Sequence, residues 1–226
     1  MFMDAFAIKI IAMILMVFDH VGSNFSGMPM WFNFIGRVVS PIFFYFIVEG
    51  FFHTKSKIKY MGRLFGSALI MQIIGVVFHI HNNIFLSLAL AVLLMYVIDY
   101  TKNSKKYILG IVCSLAVIVA SFFTEASIFG VGMTLIFYFL RDNKIIMSLT
   151  YGIFSLLICG VFSAIGSGNA YEQLIMNDPQ WMMVFSIIFI LLYNGKRGIN
   201  NKFSKYLFYI FYPLHLVIIK IIAMFI

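Results

Sequence analysis

Residues 5–25 read AFAIKIIAMILMVFDHVGSNF. Lys9 is the only charge before Asp19, and the remainder is aliphatic, aromatic or small. The hydrocarbon core of a bilayer is about 30 Å thick and takes about 20 mostly apolar residues to cross as a helix. The stretch meets that length, so it reads as a membrane helix that carries ionisable groups at both ends.

Working outward, comparable apolar runs recur at 31–52, 60–80, 83–99, 106–123, 127–140, 145–165, 181–193 and 203–226. The whole chain is 63% hydrophobic and 11% charged, with a mean hydropathy of +1.02. Such a composition could not give a polar surface in water. The expectation is an all-α, polytopic transmembrane bundle of eight or nine helices, forming one domain over residues 1–226. The uncertainty in the count comes from 127–140 and 181–193, which are short for a crossing.

Charge placement argues that both short runs cross. Thirteen of the 16 Lys and Arg fall in four clusters: Lys55/Lys57/Lys59/Arg63, Lys102/Lys105/Lys106, Arg141/Lys144 and Lys196/Arg197/Lys202/Lys205. With nine helices, two crossings separate each successive pair, so all four clusters share one side. The opposite side receives His79–Asn83, the turn near Glu125, and the loop with Glu172 and Asp178, none of which contains Lys or Arg. Basic loops face the cytoplasm. The N-terminus is therefore expected inside, in a multi-pass bacterial plasma (inner) membrane.

The net charge of +8 does not indicate a nucleic-acid partner, because the cations lie in short loops between membrane runs. The first run lacks a basic leader and a small-residue cleavage site, so it reads as a retained helix. Cys113 and Cys159 sit inside apolar runs and are expected to be buried small hydrophobes. His79 and His81 have no evident third ligand, and no metal centre is expected. Among the helix breakers, Gly27 and Pro29 turn the chain after the first helix. Pro213 falls inside the last run and should kink it.

Ionisable groups inside membrane helices are costly and tend to face the bundle interior. Here they are Lys9, Asp19, His20, Arg37, Glu49 and His215. Eleven residues separate Lys9 from His20, which returns them to within about 20° of one helix face, with about 16 Å of rise between them. One face of the first helix thus presents a cation near the inner end and an imidazole in the outer half. Arg37 opens the second run at a depth similar to Asp19, where it would neutralise that carboxylate. Glu49 and His53 form an i,i+4 pair at the inner end of the same run. The neighbouring His53, Lys55, Lys57, Lys59 and Arg63 would attract an anion such as a phosphate group.

Several segments in this order resemble the TraX family, named for the protein that acetylates the N-terminus of conjugative pilin. They are Lys9 through Asp19-His20-Val-Gly22, and Ile35-Gly36-Arg37 through Pro41. Val48-Glu49-Gly50-Phe-Phe-His53-Thr54 follows, then Lys59-Tyr60-Met-Gly-Arg63-Leu64 and Asn83-Ile-Phe-Leu-Ser87-Leu. Last come Tyr193-Asn194-Gly195-Lys196-Arg197-Gly198 and Tyr212-Pro213-Leu-His215-Leu216. The spacing of Lys9 and His20 is also similar to the Arg-x10-His pattern of a wider transmembrane acyltransferase superfamily, with Lys in place of Arg.

The resemblance implies acetyl transfer from cytoplasmic acetyl-CoA to an acceptor on the outer side: a peptide N-terminus, a glycan hydroxyl or a lipid headgroup. On that footing His20 is the expected general base and Asp19 orients it or balances charge. Lys9, His53, Lys59 and Arg63 hold the donor's phosphates. Arg37, Glu49, Glu125 and His215 form a supporting polar cluster. The competing class is a small-solute or proton-coupled transporter, whose intramembrane charges would line a path.

Overall fold

The computed structural model describes residues 2–158, 172, 174 and 179–225. Among these, secondary structure is helical throughout. One isolated bridge pairs Met3 with Tyr193, and there are no strands. The helices are α1 (Ala5–Asn24), α2 (Trp31–Gly36), α3 (Val39–His53), α4 (Lys57–Phe78), α5 (Ile84–Ser104), α6 (Tyr107–Ser121), α7 (Ser127–Phe139), α8 (Lys144–Leu156), α9 (Ser186–Leu192) and α10 (Lys202–Ala223). A 3₁₀ segment, Pro179–Phe185, leads directly into α9. The end of the 145–165 run, Cys159 and Asp178 lie outside the described residues.

All nine apolar runs contain helix, and among the described residues five helical segments, one of them Trp31–His53 taking in α2 and α3, are long and apolar enough to cross a membrane. The chain is a multi-pass membrane protein. Of the two doubtful runs, α7 has 13 residues, which gives a rise of about 20 Å. The 3₁₀ segment and α9 together have 14 residues. A 3₁₀ helix rises about 2.0 Å per residue, so this segment reaches about 24 Å. The tighter helix recovers part of the length that the run lacks.

The second run is not one helix, as its sequence suggested. It breaks at Arg37 and Val38, between α2 and α3. Pro41 supplies the reason. It has no N–H to offer the carbonyl of Arg37, and its ring crowds that same carbonyl. Pro41 is instead the third residue of α3, where an intrahelical donor is not required. Arg37 therefore occupies a helix break and does not open a helix.

The helices group into two compact units. One contains Met1–Phe43 and Asp142–Ile226, the other Phe44–Arg141. In the first, α1 packs on α2 and α10, and α8 packs on the 3₁₀ segment and α9. Asp4 caps α1 through the N–H of Ala7, and Asn201 and Ser204 form a reciprocal box at the start of α10. Tyr151 is fully enclosed, donating to the carbonyl of Met183 at 2.8 Å and accepting from Ser186.

In the second unit, α5 is central and packs on α4, α6 and α7. Leu90 and Leu94 of α5 pack with Val117 of α6 and Val131 of α7 in one buried apolar cluster. Outward faces are apolar as well: Leu69, Ile70, Ile73, Val76 and Val77 on α4, and Ile108, Ile111, Val112, Leu115 and Val119 on α6 are exposed. A face of that kind suits lipid and not water. Cys113 lies on α6 and is half-buried, not enclosed as expected, because α6 presents most of its circumference outward.

In a cysteine-free background, Lys105→Cys is expected to react with an impermeant maleimide only when the cytoplasmic face is opened, and Asn82→Cys from the outside. Labelling of both from one side would overturn the nine-crossing topology.

Candidate functional site

In the first unit, α1 and α10 bring together two residues that lie 195 positions apart. His20 Nδ1 stands 2.8 Å from His215 Nε2. Both side chains are buried, at 7% and 6% exposure. The ring centroids are 5.0 Å apart and the planes differ by 18°. The centroid separation exceeds the N···N distance by about a ring's width, so the rings meet edge to edge and the hydrogen bond lies in both planes.

The proton positions in this pair follow from its surroundings. His215 Nδ1 lies 2.8 Å from the carbonyl oxygen of Phe211. A carbonyl can only accept, so Nδ1 carries the proton. Neutral His215 then has an unprotonated Nε2, and His20 Nδ1 must be the donor across the 2.8 Å contact. The remaining nitrogen of neutral His20, Nε2, holds a free lone pair. A backbone carbonyl on α10 thus determines, through His215, which nitrogen of His20 is basic.

Tyr212 and Phe211 enclose the pair. Tyr212 is edge-on to both imidazoles, with ring centroids at 6.3 Å from His20 and 5.7 Å from His215. The Phe211 ring lies nearly parallel to His215 at 4.8 Å. α10 runs unbroken through Pro213, two residues before His215.

No hydrogen bond joins the Asp19 carboxylate to the His20 ring among the described residues. The Asp19 side chain lies against Gly36 of α2, in space that a β-carbon there would occupy. Arg37 is close enough to act on Asp19 electrostatically, but no ion pair joins them among the described residues. Arg37 Nε is buried without a hydrogen-bond partner among the described residues. The neutralising contact expected between Asp19 and Arg37 is therefore a through-space interaction and not a salt bridge. Lys9, a few turns below on α1, places Nζ 5.2 Å from the centre of the Phe208 ring of α10.

Gly36 is indispensable to this arrangement. Gly36→Ala is expected to cost about 1–3 kcal/mol by overpacking. Asp19→Gly should relieve most of that cost, since it vacates the space. Thermal melting of the two single variants and the double variant checks this: simply additive losses would show that the contact does not limit packing.

The remaining predicted residues belong to the second unit and fall at separate places in it. Glu49 of α3 receives Arg141 Nε at 2.7 Å. His53 Nδ1 donates to the Glu49 carbonyl at 2.8 Å and lies 3.9 Å from its carboxylate. Glu125 accepts from Asn82 at 3.3 Å. Glu125 precedes α7 and Arg141 follows it, so Glu125 and Glu49 are at opposite ends of a helix about 20 Å long. They do not form one cluster.

Lys59 is exposed on α4. Arg63, one turn on, lies 5.6 Å from the Tyr60 ring, with Nε buried and without a hydrogen-bond partner among the described residues. Lys57 is withdrawn from the expected basic cluster, because it pairs with Asp99 of α5, which also accepts from the Tyr138 hydroxyl. Among the described residues, no three His, Cys, Asp or Glu side chains converge as a metal site would need.

The TraX protein family matches this chain over residues 5–223. The chain belongs to the TraX family. It is 27% identical to a probable fimbrial assembly protein, FimC of serogroup H1, from Dichelobacter nodosus, across 98% of this chain and 96% of that protein. No solved structure matches it. The match takes in both α1 and α10, and hence both members of the imidazole pair.

Proposed function

We propose that this TraX-family protein is a membrane-embedded acetyltransferase. It takes the acetyl group from cytoplasmic acetyl-CoA and passes it to an amine or hydroxyl on the outer side of the bacterial plasma membrane. The N-terminus of a pilin-type peptide is the favoured acceptor. The reading draws support from the family's link to pilin acetylation and from a relative described as a fimbrial assembly protein. The observation that carries it is the buried His20–His215 pair with its tautomers fixed by the Phe211 carbonyl.

The proposed reaction is direct transfer. The acceptor's lone pair attacks the thioester carbonyl carbon, and His20 Nε2 takes the proton that the acceptor loses. The C–S bond breaks as the C–N or C–O bond forms. His20 then returns the proton to the departing sulfur, giving free CoA. His215 acts as a positioning residue throughout, accepting from His20 Nδ1 and stabilising the transient imidazolium. Asp19 and Arg37 shape the field around it. Lys9, on the same unit, keeps the role toward donor phosphates that the family resemblance assigns it.

The decisive experiment uses purified protein in lipid nanodiscs with acetyl-labelled acetyl-CoA and a pilin-type N-terminal peptide. Mass spectrometry should detect an added acetyl group on the peptide. Comparing secreted and membrane fractions of a deletion strain with its parent should reveal the natural acceptor by its missing acetyl group. Solute flux across proteoliposomes without CoA, in the absence of acetyl transfer, would overturn the reading in favour of a transporter.

A further inference from the structure

The segment Asn194–Gly198, between α9 and α10 in the first unit, is held far more firmly than a solvated basic loop needs to be. The N-terminal residues run alongside it. Met3 N–H donates to the Leu192 carbonyl, Asn194 N–H to the Met3 carbonyl, and Ala5 N–H to the Lys196 carbonyl, each at 2.9 Å. Lys144 Nζ donates to the Tyr193 carbonyl, also at 2.9 Å. Within the loop, Lys196 N–H donates to Asn194 Oδ1 at 2.8 Å.

Two glycines set the backbone of this loop. Gly195 and Gly198 have φ of 78° and 73°, a region that side chains disfavour. Gly198 also abuts the Asp4 carboxylate, which caps α1 through Ala7. Between the glycines, Lys196 and Arg197 are exposed. Arg197 is close enough to Lys9 for the two charges to repel. A flexible loop would splay such cations apart in water. A pinned one holds them together, and an anion offsets that repulsion.

We propose that the Asn194–Gly198 loop, with Lys9, is a binding site for phosphate groups, and that its occupant is the nucleotide portion of the acyl donor. The identity of the occupant rests on the acetyl-transfer reading; the phosphate preference does not. The geometry suits that donor. Lys9 and His20 share one face of α1 with about 16 Å of rise between them, so a ligand anchored at the loop extends along α1 toward the imidazole pair.

The test measures CoA binding to the full chain in nanodiscs of neutral phosphatidylcholine, by calorimetry, with inorganic pyrophosphate as a competitor. The double variant Lys196→Gln/Arg197→Gln is expected to weaken CoA binding at least tenfold, and Arg197→Lys much less. Lys105→Gln/Lys106→Gln, an equal loss of charge in another basic loop, should leave binding unchanged. Melting temperatures should confirm that all of these surface variants fold. Pyrophosphate should displace CoA from the parent protein.

Undiminished CoA binding by the double variant would overturn the proposal. So would equal losses in both double variants, because general charge would then suffice. If the parent binds no CoA but retains phosphatidylglycerol through native mass spectrometry, and the double variant loses that lipid, the occupant is a lipid headgroup and the nucleotide assignment fails. CoA binding that depends on the loop, with no acetyl transfer to any peptide, glycan or lipid acceptor, would instead sink the acetyl-transfer reading and leave the phosphate site standing.

Discussion

His20→Ala is expected to lower the single-turnover rate of acetyl transfer by about 10²–10⁴-fold, the usual range for losing a general base. CoA affinity should hardly change, since the imidazole acts on the acceptor's proton. His215→Ala should cost nearly as much, though this side chain touches no reacting atom. Without the acceptor at His215 Nε2, nothing fixes the proton on His20 Nδ1, and the ring can present N–H where a lone pair is needed. His215→Gln retains a carbonyl oxygen that can accept from Nδ1, so it should recover part of the rate. The double variant should be no slower than His20→Ala alone, because residues acting as one unit do not give additive losses. Additive losses, or a His215→Ala effect seen wholly in acceptor or donor affinity, would sink the relay.

The sequence made the membrane architecture legible because hydropathy and charge are local properties that any window reveals. Nine runs were expected, and each contains helix. The break at Arg37 was also written locally, in Pro41, but uniform hydropathy across 31–52 masked it. What could not be read was pairing between distant residues. Periodicity put Lys9 and His20 on one face of α1, yet it had no means of showing that His215 would stand 2.8 Å from His20. The intramembrane polar residues stand out in the sequence by their cost in lipid. Their grouping was not legible, since Glu49 and Glu125 are separated by the length of α7. The Asn194–Gly198 segment carried family resemblance, but its rigidity arises from residues 2–5 at the other end of the chain.

Asp99 shows the same limit, and its loss has a large expected effect on stability. The fourth apolar run ends at residue 99 by hydropathy, but α5 continues to Ser104. That extension makes Asp99 part of a helix, where its carboxylate accepts from Lys57 at the start of α4 and from Tyr138 near the end of α7. One side chain thus joins three helices. Lys57 Nζ lies 4.2 Å from the Phe51 ring centre, and Lys102 Nζ 5.1 Å from that of Tyr138. Asp99→Ala removes the acceptor from both partners and leaves two cations facing aromatic rings without a carboxylate. The pair is part-exposed, with side-chain exposures of 33% and 24%, so water can partly rehydrate Lys57. The expected loss is therefore about 1.5–3 kcal/mol, the range for a hydrogen bond to a charged group, rather than that of a fully buried ion. Asp99→Asn should lose less, because it still accepts from Tyr138. Lys57→Met combined with Asp99→Leu should restore most of the stability, since no charge is then left unmatched. Unfolding of each variant in bicelles checks the series. A neutral Asp99→Ala would show that α4, α5 and α7 are held by apolar packing alone.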